Sequence, residues 1–261
     1  MFKAILEIVK YKEMLRNSVR KELRARYKGS ALGFMWTFIN PLLQLAVYSF
    51  VFSTIMRVVP PEGVNYTLWL FVALVPWTCV SATILQSTNV IIQNGNLIKK
   101  IYFPRAILPL SLTLTNIINM MLTFIIVIAV VLIGGSPLTF NYLFLPLLFL
   151  VQFLLLFGFA VLFSAANVFF RDIEHIMSII VMLWFYGTPI IYALELMPVK
   201  YWFIMKLNPL FGIIDSYREI LIFGRPPHGN LLLYSLCFAL ILDLIGMYVF
   251  SKGQRRFAEE I

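Results

Sequence analysis

AILPLSLTLTNIINMMLTFIIVIAVVLIGGSPLTFNYLFLPLLFLVQFLLLFGFAVLFSAANVFF, residues 106–170, runs for 65 positions without an Asp, Glu, Lys or Arg. A helix rises about 1.5 Å per residue and the hydrocarbon layer of a bilayer is roughly 30 Å thick, so about 20 residues cross it. The stretch therefore holds two crossings, divided at the turn signal Gly134-Gly135-Ser136-Pro137. Working outward, Gly29–Met56 is uncharged over 28 residues and Gly63–Ile98 over 36, although the latter turns polar at Gln86, Ser87, Asn89, Gln93, Asn94 and Asn96. Ile176–Leu194 is a further apolar run, and Leu231–Ser251 is interrupted only by Asp243. The reading is an all-α membrane protein, a single transmembrane domain over residues 1–261, with six spans near 33–57, 67–92, 106–133, 141–166, 176–194 and 231–251.

Composition agrees with lipid as the solvent. The chain is 61% hydrophobic and 13% charged, against roughly 45–50% and about 25% in a soluble domain. Of its 21 Lys and Arg, six spans with a cytoplasmic N-terminus put 16 inside and 5 outside, so the positive-inside rule predicts a multi-pass protein with both termini in the cytoplasm. The N-terminal segment lacks a small-residue cleavage site and does not read as a cleavable signal. Cys79 and Cys237 fall in apolar stretches without metal-ligand spacing, so no metal is expected.

Residues 1–28 form a basic amphipathic segment. Ile5, Ile8, Tyr11, Leu15, Val19 and Leu23 recur every three or four positions among Lys10, Lys12, Arg16, Arg20, Lys21 and Arg24, the pattern of a helix lying flat on an anionic membrane surface. Two readings are open: the helix is only an anchor, or Arg24, Arg26 and Lys28 also hold a diphosphate headgroup, which guanidinium groups grip in bidentate fashion.

Residues 195–230 are too apolar for an ordinary outer loop and too broken for a span. Trp202, Asn208-Pro209, Tyr217 and Arg218 mark them as a re-entrant segment forming an outer gate, or as an aromatic interfacial belt. Asp243 lies mid-span, where an acid costs about 2.5–3.5 kcal/mol. A hydrogen bond to a neighbouring helix would account for it, and Asp243→Asn would then keep transport while losing some stability.

Five motifs in order resemble the permeases of polysaccharide-exporting ABC transporters. They are Leu23 to Gly33 with Trp36 and Pro41, Asn96 to Arg105 with Leu108-Pro109, Asn167 to Ile173, Thr188 to Tyr192, and Asn208-Pro209. The resemblance covers essentially the whole chain and points toward O-antigen and wall teichoic acid export permeases, with teichoic acid slightly favoured as cargo. It implies a homodimer in a bacterial cytoplasmic membrane, two copies of a separate ABC ATPase, and a polyprenyl-diphosphate-linked polysaccharide as substrate. A coupling helix is implied at about Asn94 to Phe103, carrying Asn96, Leu97, Lys99, Lys100, Tyr102 and Phe103. Arg171 and Asp172 would face the same ATPase, or would simply start a helix together with Glu174.

The chain has no Gly-x-x-x-x-Gly-Lys-Ser/Thr phosphate loop, so ATP and Mg are assigned to the partner, and no cofactor is expected in this chain. A polymer needs a wet conduit with aromatic faces and amides; Trp77, Trp184, Phe185, Tyr186 and Tyr192 with Gln86, Asn89, Asn116 and Asn119 supply the candidates. No nucleic-acid partner is expected. Two rival classes are an ion-gradient-driven flippase, which lacks a second intramembrane acid or His to form a relay, and a membrane enzyme on lipid-linked sugars. The enzyme is disfavoured because His175 and His228 fall on opposite sides and the carboxylates are scattered. Asp215 and Glu219 read as helix-surface contacts in the gate.

Overall fold

The computed structural model describes residues 10–26, 28–58 and 64–261; Ile5 and Ile8 of the basic segment lie outside them. Among the described residues all regular structure is helical. The basic segment contains helix α1, Lys12–Ala25. Leu15, Val19 and Leu23 turn inward while Lys12, Arg16, Arg20 and Lys21 stay exposed, as the spacing predicts, and Glu22 turns inward beside them.

The first span begins with a 3-10 turn, Gly33–Met35, continues as α2, Trp36–Ser49, and ends in π-helical turns over Phe50–Ile55. It lies at the periphery, with Leu43, Val47 and Phe50 more than half exposed. Helix α3, Tyr66–Gln93, is the central element, started by Asn65, whose Oδ1 accepts from the Thr67 N–H at 2.8 Å. It packs against most other long helices and buries nearly all of its first half. A turn at Asn94 leads into the short helix α4, Gly95–Lys100. Helix α5, Ile107–Ile133, stops at Gly134-Gly135, where Gly135 takes a φ of +86° that a side chain would resist. Helix α6 follows over Leu145–Phe169.

The fifth expected span, 176–194, is helical only in its first part. Helix α7 covers only Ile173–Tyr186, 14 residues, or about 21 Å of rise, and the chain from Gly187 to Ala193 is not helical. Pro189 has no N–H to continue the ladder, and it biases Thr188 away from helical geometry. Among the described residues five helices are long and apolar enough to cross a membrane, and α7 is a shorter apolar helix. The segment expected at the outer face consists of 3-10 turns, a five-residue helix Trp202–Lys206 and helix α8, Pro209–Leu221, each too short to cross. Helix α9, Gly229–Gly253, and the short α10, Phe257–Glu260, complete the chain.

Helices α6 and α9 make the most extensive contact in the molecule. Gly158 and Gly246 let the two backbones meet: a Cβ on Gly158 would come within 3.0 Å of the Asp243 N, and one on Gly246 within 2.9 Å of the Gly158 O. Small residues serve this purpose where lipid supplies no hydrophobic drive between helices.

Asp243 is buried at this contact, but the expected hydrogen bond is absent: its Oδ1 has no partner among the described residues. Glycine faces it, and glycine has no side chain to offer. Asp243→Asn, near-isosteric and with no bond to lose, is therefore expected to shift stability by less than about 1.5 kcal/mol and to leave transport intact. A variant that folds but no longer transports, compared by melting temperature and transport assay, would make Asp243 a functional group.

Candidate translocation site

Helix α3 is buried on every side except one. Thr78, Ser81, Ala82, Leu85, Gln86, Asn89 and Gln93 remain partly or fully exposed, and these positions share one helical face. Three cavities abut along this stripe. At the inner end a cavity of about 450 Å³ lies between α1, α3 and α5, reaching Glu22, Arg26, Gln86, Gln93 and Thr115. The next, about 310 Å³, shares Arg26 and is lined by Thr37, Asn40, Thr78, Asn116 and Asn119. The third, about 230 Å³, shares Thr78 and reaches Gln44, Tyr48, Trp77, Ser81 and Tyr186.

Arg26 joins the first two. Its Nη2 donates to Asn116 Oδ1 at 2.7 Å, and Asn116 Nδ2 donates to Gln86 Oε1 at 3.1 Å and Thr83 Oγ1 at 3.2 Å. Both amide functions of Asn116 are engaged, so the guanidinium is held in place by a satisfied polar network. All three cations expected to bind diphosphate are exposed, and Arg26 is the one whose guanidinium is tied to a side chain of the bundle, Asn116. Beside Arg26, Ser111 Oγ donates to Glu22 Oε1 at 3.0 Å, and burial pushes the Glu22 carboxyl pKa up. Sequence reading passed over Glu22, whose inward position depends on α1 docking against α5.

The aromatic candidates divide into packing and lining groups. Trp77 is buried and meets Trp184 edge-on at 6.5 Å and Phe185 at 5.6 Å. Trp184 also donates its Nε1–H to Asn208 Oδ1 at 3.0 Å. Tyr186 is exposed beside the cavity, and its carbonyl accepts from Tyr192 Oη at 2.8 Å. Asn89 accepts from Asn167 Nδ2 at 3.3 Å, and Asn167 Oδ1 accepts from the Glu174 N–H at 3.1 Å. Asn167, rather than Asp172, thus supplies the side-chain acceptor at the start of α7; Asp172 makes no capping bond.

At the inner end Asn96, Lys99, Lys100 and Tyr102 are exposed, Leu97 is half-buried, and Ile98 and Phe103 are buried as anchors. Lys99, Lys100, Arg105 and Arg255 line a basic hollow of about 570 Å³. Arg171 and Asp172 are exposed in the other inner loop.

The outer residues largely face inward. Asn208 caps α8 by accepting from the Leu210 N–H at 3.1 Å, Pro209 occupies the first turn, and Asn208 Nδ2 donates to Thr188 Oγ1 at 2.8 Å. Tyr217 is fully buried and donates to Gln152 Oε1 at 3.0 Å. Arg218, also buried, donates to the carbonyls of Pro189 at 2.6 Å and Ile190 at 2.7 Å and stacks on Trp69 at 3.7 Å. It holds the non-helical segment after α7. Trp202 donates to the Met197 carbonyl at 3.1 Å within its own turn.

Residues 14–222 match the model of the family described as ABC-2 type transporter. The chain belongs to the ABC-2 type transporter family. This ABC-2 transporter chain is 37% identical over 241 residues to the O-antigen export system permease protein RfbA of Klebsiella pneumoniae, covering 92% of the chain and 91% of that protein. The Myxococcus xanthus protein of the same name is 31% identical over 263 residues, with both chains covered in full. The polysialic acid transport protein KpsM of Escherichia coli is 23% identical over 239 residues, covering 90% of this ABC-2 chain and 91% of KpsM.

Proposed function

We propose that this chain is the membrane-spanning half of an ATP-driven exporter that moves a polyprenyl-diphosphate-linked polysaccharide from the cytoplasmic to the outer face of a bacterial cytoplasmic membrane. The observation that carries the reading is the polar stripe of α3, open beside three cavities, with the Arg26 guanidinium fixed at its inner end. A fixed fork of N–H donors suits a diphosphate; Thr, Asn, Gln and Tyr side chains beyond it suit a hydroxyl-rich polymer. Relatives named for O-antigen and polysialic acid favour an O-antigen-type chain over teichoic acid as cargo.

The stripe is a half-channel, flanked by exposed faces of α2 and α7. A second copy would close it, and a homodimer is our reading. Six crossings with both termini in the cytoplasm remain our reading, with α7 together with Gly187–Ala193 as the fifth crossing and α8 re-entrant at the outer face. Residues 1–261 are then one transmembrane domain. The exposed cations of α4 and its hollow, with Arg171 and Asp172, form the surface for two ABC ATPase subunits, which bind the ATP and Mg.

The test is to purify the chain with and without an ABC ATPase co-expressed from the same organism, reconstitute both in lipid, and measure ATP hydrolysis against added polyprenyl-diphosphate glycan. Hydrolysis should require both proteins and rise with the glycolipid. Arg26→Ala should raise the glycolipid concentration for half-stimulation at least about tenfold, near 1.4 kcal/mol of lost binding. Glycolipid movement driven only by an ion gradient would overturn the reading.

A further inference from the structure

Asp215 and Glu219 lie one turn apart on the same face of α8, where like charges at this spacing repel. Tertiary structure brings a third group to them. His228, at the cap position of α9, places Nδ1 2.8 Å from Asp215 Oδ2. One ligand atom from each of Asp215, Glu219 and His228 falls within 4.8 Å of the others. His228 is exposed and the two carboxylates are half-buried, so the cluster is open to solvent.

The surrounding cations are turned elsewhere. Arg218, between the two acids in sequence, is buried and donates its guanidinium N–H groups to the Pro189 and Ile190 carbonyls, forming no ion pair with either acid. The Arg225 guanidinium lies over the Phe223 ring at 5.4 Å. Among the described residues no Lys or Arg comes within ion-pair distance of either carboxylate, and His228 is the one basic partner.

The loop that delivers His228 is itself fixed. The Arg225 N–H donates to the Glu219 carbonyl at 2.8 Å, and Asn141 Nδ2 donates to the Gly224 carbonyl at 2.7 Å. The third ligand is therefore held near the other two, not presented by an unrestrained loop.

We propose that Asp215, Glu219 and His228 form a binding site for a zinc-class divalent cation that clamps α8 to the start of α9. Two carboxylates and one imidazole neutralise a dication and suit first-row metals; Mg²⁺ and Ca²⁺ prefer oxygen ligands alone. Ligand distances of about 2.0–2.2 Å put ligand atoms at most about 4.4 Å apart, so three atoms that already lie within 4.8 Å of one another need to close only slightly around an ion. The site leaves coordination positions to water and lies apart from the α3 cavities.

The experiment uses the full chain, purified in detergent and stripped with chelator, then titrated with Zn²⁺ or Mg²⁺ by calorimetry and thermal melting. The wild type should bind one saturable Zn²⁺ per chain and melt at higher temperature with it, and equal Mg²⁺ should have no such effect. Glu219→Gln should weaken Zn²⁺ affinity at least tenfold while leaving the metal-free melting temperature unchanged, because the Glu219 carboxylate makes no hydrogen bond or ion pair among the described residues. That separates metal binding from the His228–Asp215 tether, which this variant keeps. His228→Ala should abolish the melting shift. Absence of saturable Zn²⁺ binding, or binding of wild-type strength in both variants, overturns the proposal.

Discussion

Replacing Arg218 with alanine should cost more stability than any other single side-chain truncation in the outer segment. The guanidinium satisfies the Pro189 and Ile190 carbonyls, which the interrupted helix after α7 leaves without intrahelical donors. Each buried carbonyl left unpaired costs roughly 1–3 kcal/mol, and the desolvated stack on Trp69 adds about 2 kcal/mol. The expected loss is about 4 kcal/mol or more, seen as a large fall in the melting temperature of the detergent-purified chain and as aggregate on size exclusion. Arg218→Lys keeps the charge but not the planar fork, so it should recover less than half of the loss. If Arg218→Ala melts with the wild type and transport alone suffers, Arg218 returns to the role of a gate residue that its sequence position suggests.

The second large effect belongs to the α6–α9 contact. Gly158→Val should separate the two helices, because even a first side-chain carbon meets Leu242 Cγ at 2.9 Å and the Asp243 N and Oδ1 at 3.0 Å. Backbone cannot move aside as the end of a flexible side chain can. Overpacking of this kind costs about 1–3 kcal/mol and sometimes more, here at the most extensive helix pair in the molecule. Melting temperatures should order wild type above Gly158→Ala above Gly158→Val. Gly229→Ala is the control: its added carbon meets nothing within 4 Å, and its melting temperature should not fall. Equal melting of Gly158→Val and wild type would mean that α6 and α9 do not touch as described.

Most of the helical framework was legible before any coordinates. Spans read at 67–92, 106–133 and 231–251 appear as Tyr66–Gln93, Ile107–Ile133 and Gly229–Gly253, because absence of charge over 20 or more residues is a local signal. The same signal did not mark the helix end at 176–194, where the apolar run continues past Gly187-Thr188-Pro189 although the helix stops at Tyr186. Gly187 and Pro189 were the available warning. The segment Gly95–Phe103 was legible as a short basic piece after α3, and its buried anchors Ile98 and Phe103 were not distinguished from its exposed face.

The candidate site was legible by residue type and not by contact. Arg26 was singled out as a cation at the membrane edge, but its partner Asn116 lies 90 positions away. His228 stood alone in the sequence and stands beside Asp215 in the fold. The expected partner for Asp243 proved to be a glycine.

What the sequence determined by itself was the solvent, the direction of the charge bias and the positions of most spans, since each depends on sums over neighbouring residues. Only tertiary structure decided which face of α3 stays open, that Arg218 braces the broken end of α7, and that Asp215, Glu219 and His228 converge. Those outcomes depend on which helices pack together, and a buried polar group takes its partner from whatever packing brings within about 3 Å, however distant in sequence.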